Sequence, residues 1–286
     1  MPRLTPSQLQ SFEERGYVVI PSFFNSASVQ NAREEVTLLV DRHIRGLMAE
    51  GKVGEAFEDE LFETRLVALY RTVPDQMPRI FRRELHLAGM FDLFFHPGLL
   101  DIVEQLLGGE IRLYPNYSVR PKLPDHAPTL VLWHQDGGYT QNWHLDAGHC
   151  EKAIETLRMV NVWFPLVPAR ERNGCMQFIP GTHRLGLVPH EGREFYLEIS
   201  KEVLEPFLPN AVSIEVDPGD LVLFHNMLFH QGLPNRSDQV RWSMDWRYQD
   251  ATQSTLRTAT GHIARSRLHP EQVVADAVQW TQLSFQ

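Results

Sequence analysis

Two separated fragments of the chain carry side chains suited to metal chemistry: Trp133-His134-Gln135-Asp136, and His230 followed eleven residues later by Arg241. His134 and Asp136 are two positions apart, so on an extended segment both side chains leave the same face. His230, from a distant part of the chain, would complete a set of two imidazoles and one carboxylate on one side of a metal. The opposite side then stays free, as expected of a non-haem Fe(II) site that must hold a cosubstrate and O2 together. Arg241 would supply the fixed positive charge that a dicarboxylate cosubstrate requires.

His-X-Asp occurs twice, at His134-Gln135-Asp136 and at His144-Leu145-Asp146. The first follows the apolar run 129–133, which reads as a buried strand and hence as a rigid scaffold for ligands. The second lies in a segment with loop character, so His144 and His149 read as loop residues facing solvent or substrate. The third ligand has two candidates, His225 and His230, both behind the strand-like Leu221-Val222-Leu223-Phe224. His230 is preferred because the turn Gly232-Leu233-Pro234-Asn235 would bring the chain back on a neighbouring strand and aim Arg241 at the same cavity. His225 reads as a core histidine holding a hydrogen bond.

The elements that must position these groups follow from periodicity. Residues 5–20 read as a short helix, with Thr5 as N-cap and Pro6 in its first turn, running into a β-branched strand. A longer helix spans about 25–48, with Val29, Ala32, Val36, Leu39, Val40, Ile44 and Leu47 at a spacing of three and four. Residues 52–90 are mixed and charged, and no element is assigned to them. A third helix is expected over 97–107, with proline at its start and Gly108-Gly109 at its end. Beyond it come short strand-like runs at 111–114, 117–120, 130–133, 159–164, 176–179, 212–216, 221–224 and 242–248, separated by Pro, Gly, Asn and Asp. This order predicts a mainly β fold, a double-stranded β-helix (jelly-roll, cupin-like) core with supporting N-terminal α-helices. We expect one domain over 1–286: mostly helical support in 1–108, the jelly-roll core in 109–250, and a C-terminal extension in 251–286.

The bulk properties limit the function classes. The chain has 286 residues, 43% hydrophobic content and a formal net charge of -9. That is enough to bury a large core, and the acidic balance argues against nucleic acid or anionic lipid as a partner. No run approaches the roughly 20 apolar residues of a membrane span, and the N-terminus lacks the apolar stretch of a secretory signal. Cys150 and Cys175 are too few for a disulfide framework. A cytoplasmic location is expected, where Fe(II) also stays reduced.

The chain resembles the phytanoyl-CoA dioxygenase family of Fe(II)/2-oxoglutarate oxygenases over most of its length. The opening 12–21 is similar to the family's helix–strand entry, and Trp133-His134-Gln135-Asp136 to its His-X-Asp. Asn173-Gly174-Cys175-Met176 and Ile179-Pro180-Gly181-Thr182-His183 resemble its glycine turn and Pro-Gly-Ser-His-type segment. Pro218-Gly219-Asp220, His230, Pro234-Asn235 and Arg241 then follow in the family's order. The resemblance implies His134, Asp136 and His230 as ligands of Fe(II), Arg241 on the far carboxylate of 2-oxoglutarate, and O2 as oxidant. Some members carry a serine two residues after the distal histidine, where this chain has Gly232. Ser243, on the same strand face as Arg241, would substitute. Asn161, Trp163 and Tyr117 are the further pocket candidates, and His183 is read as structural.

The implied reaction is hydroxylation of an unactivated C–H bond in a small organic substrate, with release of succinate and CO2. The presence of Asp136 favours oxygenation over the halogenation seen where that carboxylate is replaced by a small residue. Two competing readings are a zinc-dependent hydrolase or isomerase on the same barrel, and a non-catalytic jelly-roll binding protein. The zinc reading gives Arg241 no particular task, and the intact ligand set argues against the non-catalytic one. The segment 137–158, with Gly137-Gly138-Tyr139, is long for a strand connection and is expected to be a lid or an insertion beside the metal.

Overall fold

The structure, a computed structural model, describes residues 3–141 and 153–285. His144, Asp146 and His149, and with them half of the expected lid (142–152), lie outside the described residues. Helix α1 (Pro6–Arg15) begins with a capping box in which the Thr5 hydroxyl accepts the Gln8 N–H and the Gln8 side chain accepts the Thr5 N–H. It leads into β1 (Tyr17–Ile20). Helix α2 (Ser26–Ala49) buries all seven of the apolar residues expected from its spacing. Helix α3 (Arg65–Thr72) falls in the stretch 52–90 left unassigned from sequence, α4 (Ala88–Phe94) begins at its end, and α5 (Pro97–Leu107) has the expected bounds.

The remaining strands are β2 (Ile111–Leu113), β3 (Ser118–Lys122), β4 (Met159–Pro165), β5 (Met176–Phe178), β6 (His190–Gly192), β7 (Leu197–Ile199), β8 (Val212–Ile214), β9 (Leu221–His225), β10 (His230–Gly232), β11 (Arg241–Asp250) and β12 (His262–Arg265). All but β6 and β7, which pair only with each other, form with β1 the two sheets of the jelly roll. The larger sheet runs β1-β9-β4-β11-β2-β12, with β3 also on β11, and the smaller runs β10-β5-β8. The C-terminal extension is part of this core: β12 pairs with β2, and the helix Ala277–Gln282 buries Trp280 against His86 and Phe94.

Strand β11 shows how the layers divide. Trp242, Met244, Trp246 and Tyr248 join Val160, Val162 and Phe164 of β4 and the apolar residues of α2, α4 and α5 in one large core. The alternate row of β11, Arg241, Ser243, Asp245 and Arg247, faces the space between the sheets. Part of that space is filled by a second apolar cluster that includes Trp163, Met176, Phe178 and Phe224. The rest is polar, and the candidate site is there.

Two expectations are corrected. Residues 130–133 are not a strand and form no ladder. Val131 accepts Gly232 N–H and Trp133 accepts Ile199 N–H, so the segment spreads its hydrogen bonds over two neighbours, and Leu130, Val131 and Leu132 stay half-buried. Arg241 does not sit on a strand neighbouring that of His230 in one sheet, because β10 and β11 belong to opposite sheets. The two residues meet across the interior.

Candidate metal centre and cosubstrate pocket

His134 and His230 are partners in an isolated antiparallel bridge, exchanging both backbone hydrogen bonds at 2.9 and 3.0 Å. Directly opposed residues project to the same side, which brings the two imidazoles to a centroid distance of 4.0 Å. Asp136 arrives by another route. It is the first residue of a short helix, α6 (Asp136–Gln141), rather than the next inward residue of a strand. Between the ligands, the fully buried Gln135 points away and ties three backbone groups, donating to the Gly186 and Met227 carbonyls and accepting from Val188 N–H.

One ligand atom from each of His134, Asp136 and His230 lies within 4.8 Å of the others. The His134 Nε2–Asp136 Oδ1 distance is 3.6 Å and the His230 Nε2–Asp136 Oδ2 distance is 3.8 Å. Each gap is shorter than two metal–ligand bonds of about 2.1 Å laid end to end, so a single cation fits among them. The donor chemistry agrees. Each ring's Nδ1 donates to a backbone carbonyl, His134 to Leu132 at 2.7 Å and His230 to Leu228 at 2.8 Å, which leaves both Nε2 lone pairs facing the gap. Burial, and then the neighbouring His134, push His230 down to about 3, so it is a neutral donor near pH 7.

The carboxylate is clamped from behind. Asn161 Nδ2 donates to Oδ2 at 2.8 Å and Arg247 Nη2 pairs with Oδ1 at 2.5 Å. Asn161 and Arg247 face each other across β4 and β11. Burial works to raise the Asp136 carboxyl, but Arg247 first, and the two histidines with it, outweigh this and hold it well below the usual carboxylate range.

On the other side, Arg241 is buried with its guanidinium over the Trp163 ring at 5.3 Å and its Nη1 donating to Ser243 Oγ at 2.5 Å. Its Nε has no partner among the described residues. Burial, chiefly, lowers Arg241 to about 10. A charge kept out of water in this way requires an anion. Beyond His134 and Asp136 a cavity of about 940 Å3 opens toward the surface.

A model of the phytanoyl-CoA dioxygenase (PhyH) family matches residues 12–243. The chain belongs to this family. It is similar to the 1-deoxypentalenic acid 11-beta-hydroxylase of Streptomyces arenae, 26% identical over 254 residues that cover 84% of this chain and 80% of that one. It is also similar to a probable alpha-ketoglutarate-dependent hypophosphite dioxygenase of Stutzerimonas stutzeri, 26% identical over 241 residues, 80% of this chain and 73% of the relative. The crystal structure of EctD from S. alaskensis with 2-oxoglutarate and 5-hydroxyectoine shares the fold, with a TM-score of 0.63 at 20% identity over 88% of this chain and 78% of that one. The PhyH chain is thus a non-haem iron, 2-oxoglutarate-dependent oxygenase, with Fe(II), 2-oxoglutarate and O2 as its reagents.

Within the PhyH frame, the departure at Gly232 has a structural explanation. A Cβ at residue 232 would lie 3.0 Å from Lys122 Nζ and 3.9 Å from Arg241 Nη2. Lys122, opposite Arg241 across β3 and β11, occupies the space a serine there would need and donates to the Gly232 carbonyl at 3.1 Å. Gly174, in left-handed conformation with φ 86°, also leaves room for the Lys122 stem. Sequence reasoning missed Lys122 and Arg247. Both lie on strands whose polar and apolar residues alternate, and the signal is that alternation once the inner row is known.

The other expected residues divide. Ser243 and Trp163 flank Arg241, while Asn161 touches Asp136. Tyr117 is corrected: it lies on the helix side of β3, packed against Phe94, Trp280 and Phe285, with its hydroxyl 3.4 Å from His86 Nε2. It has the parity of Val119, which faces the helices. His225 is not part of the triad. Its Nδ1 accepts the Met227 N–H and its ring packs on His183, whose Nε2 lies 3.1 Å from the Glu13 carbonyl.

Proposed function

We propose that the chain hydroxylates a C–H bond of a small organic substrate, with His134, Asp136 and His230 holding Fe(II) and Arg241, Ser243 and Lys122 holding the distal carboxylate of 2-oxoglutarate. The observation that carries this reading is the meeting of three ligand atoms within 4.8 Å on one side of the interior with two buried cations on the other. Iron bound there with 2-oxoglutarate and O2 would supply the oxidant, releasing succinate and CO2. The protein's own part is positional. Asn161 and Arg247 fix the carboxylate ligand, the Leu132 and Leu228 carbonyls fix the imidazole tautomers, and Trp163 keeps water from the Arg241 guanidinium. A zinc hydrolase or a non-catalytic barrel has no use for Arg241 and Lys122 side by side. Among the described residues no helix is long and apolar enough to cross a membrane. Two cysteines and a need for ferrous iron suit the cytoplasm.

Anaerobic addition of Fe(II) and 2-oxoglutarate should give a weak visible charge-transfer band. His134→Ala and Asp136→Ala should each abolish the band and iron retention while keeping the far-ultraviolet circular dichroism of the native chain. A full complement of iron in Asp136→Ala would refute the ligand assignment.

A further inference from the structure

The cavity in front of His134 and Asp136 is strongly basic in a chain of net charge -9. Among the described residues, six of the chain's 27 basic residues, Arg79, Arg82, Arg83, Arg120, Arg247 and Arg257, line it, against the single carboxylate of Asp136. Two are already paired within the protein, Arg120 with Asp245 and Arg247 with Asp136, each at 2.5 Å. Among the described residues no carboxylate lies within ion-pairing distance of the other four. Arg82 and Arg257 are half-buried, and the Nε of each is sealed from solvent without a hydrogen-bond partner. They come from opposite ends of the chain. Arg82 follows Phe81, which is bridged to Val119 of β3. Arg257 lies over the Tyr114 ring at 5.3 Å and donates to the Tyr139 carbonyl at 3.3 Å.

Burial lowers Arg82 to about 10, and Arg120, Arg247 and Arg257 add to the effect by like-charge repulsion. Gathering guanidinium groups in this way is unfavourable unless an anion enters among them. The proposed cosubstrate is not that anion, because Arg241 and Lys122 are absent from this lining. The cavity also has an apolar wall, formed by Tyr139, Phe195, Tyr196 and Leu256.

We propose that the substrate is an organic anion, a carboxylate or a phosphate ester, whose charged head is held by Arg82 and Arg257 while its apolar body lies on Tyr139, Phe195 and Tyr196. This inference rests on the proposed function and names the substrate class for it. Planar guanidinium forks suit both kinds of oxyanion. The head, fixed at the outer arginines, would leave a carbon of the body facing His134 and Asp136.

The test uses the anaerobic Fe(II) protein saturated with 2-oxoglutarate and four probes: phenylacetate, phenyl phosphate, phenylacetamide and 2-phenylethanol. Binding is read by saturation-transfer NMR and by perturbation of the charge-transfer band. One of the two anions should bind about tenfold or more tightly than either neutral probe, and the preferred anion identifies the head group. Arg82→Gln and Arg257→Gln should each weaken that anion by about tenfold without weakening the amide. Equal or tighter binding of the neutral probes, displacement of 2-oxoglutarate by the anion, or undiminished anion binding in both variants would overturn the proposal. The wild-type comparison stands even where a variant fails to fold. Absence of the band in the wild-type protein sinks the cosubstrate reading instead, and anion preference is then still measured by NMR on the metal-free protein.

Discussion

Replacing Lys122 by methionine should act in opposite directions on stability and on cosubstrate binding. Lys122 is 3% exposed, its ammonium has the Gly232 carbonyl as acceptor at 3.1 Å, and Arg241 lies beside it. Burial first, then Arg241, then Arg120 push it well below the usual lysine range. Folding without 2-oxoglutarate therefore either buries the cation with no counter-ion or strips it of its proton, and both are unfavourable. Replacing buried charge by an apolar side chain of similar volume stabilises by about 1–4 kcal/mol, and the Gly232 carbonyl, losing a donor, takes back about 1 kcal/mol. The metal-free, cosubstrate-free variant should be more stable by up to about 3 kcal/mol at pH 7, or about 2–4 °C in Tm for each kcal/mol. The sign of the pH dependence follows from the lowered folded-state pKa. Above about pH 10.4 lysine is neutral in both states and the penalty vanishes; below it, the penalty grows by up to about 1.4 kcal/mol per pH unit as the unfolded chain takes up the proton. Urea melts at pH 7 and pH 9.5 should show the stability gap shrinking at the higher pH. With Fe(II) bound under nitrogen, 2-oxoglutarate should bind about ten- to a hundredfold more weakly by calorimetry, through loss of a charge-assisted hydrogen bond. A variant less stable at pH 7, or one with unchanged 2-oxoglutarate affinity, would refute the reasoning.

Arg247→Met removes the guanidinium from Asp136 Oδ1 and leaves Asn161 as its remaining clamp. The metal-free protein should lose about 3–5 kcal/mol, and an unmoved urea midpoint at pH 7 would dispose of the clamp. Gly232→Ser should destabilise, because its Cβ meets Lys122 Nζ at 3.0 Å. Lys122→Ala in the same chain should relieve that cost, giving a coupling of about 0.5–3 kcal/mol in a double-mutant cycle, where strict additivity would argue against the shared space. His86 is stacked on Trp280 and held down to about 4, by burial first and His262 second. Its contribution is present above the unfolded value of about 6.5 and lost as pH falls from there toward 4. His86→Gln should therefore lose less stability than the native chain between pH 7 and pH 5 in urea melts, and parallel losses would count against the buried neutral ring.

Legibility differed along the chain for identifiable reasons. Helix α2 was readable because seven apolar residues repeat at one period and all face one core. Helix α5 was readable because Pro97 and Gly108 mark its ends. Helix α3 gave no such signal: Thr64 makes no side-chain capping bond, and the buried residues of α3 include Arg65, which looks like a surface residue until its ion pair with Asp41 is seen. The three residues singled out from spacing converge in the fold, their ligand atoms within 4.8 Å of one another, although the backbone carrying them differs. His-X-Asp places two donors near each other on a strand and also on the strand-to-helix corner found here.

The sequence by itself determined which residues to set together, His134, Asp136, His230 and Arg241, because few other residue combinations in this order have a chemical use. It also determined the alternation of β11, polar at Arg241, Ser243, Asp245 and Arg247 and apolar at Trp242, Met244, Trp246 and Tyr248. Which row faces the interior was decided only in three dimensions. Helices α2, α4 and α5 cover the outer face of the large sheet and take the apolar row into the main core, so the charged row is left to line the barrel. That inversion assigns Tyr117 to the helices and Lys122 and Arg247 to the interior beside Asn161. It cannot be read from one strand, because a period of two marks the two faces without saying what will pack on either.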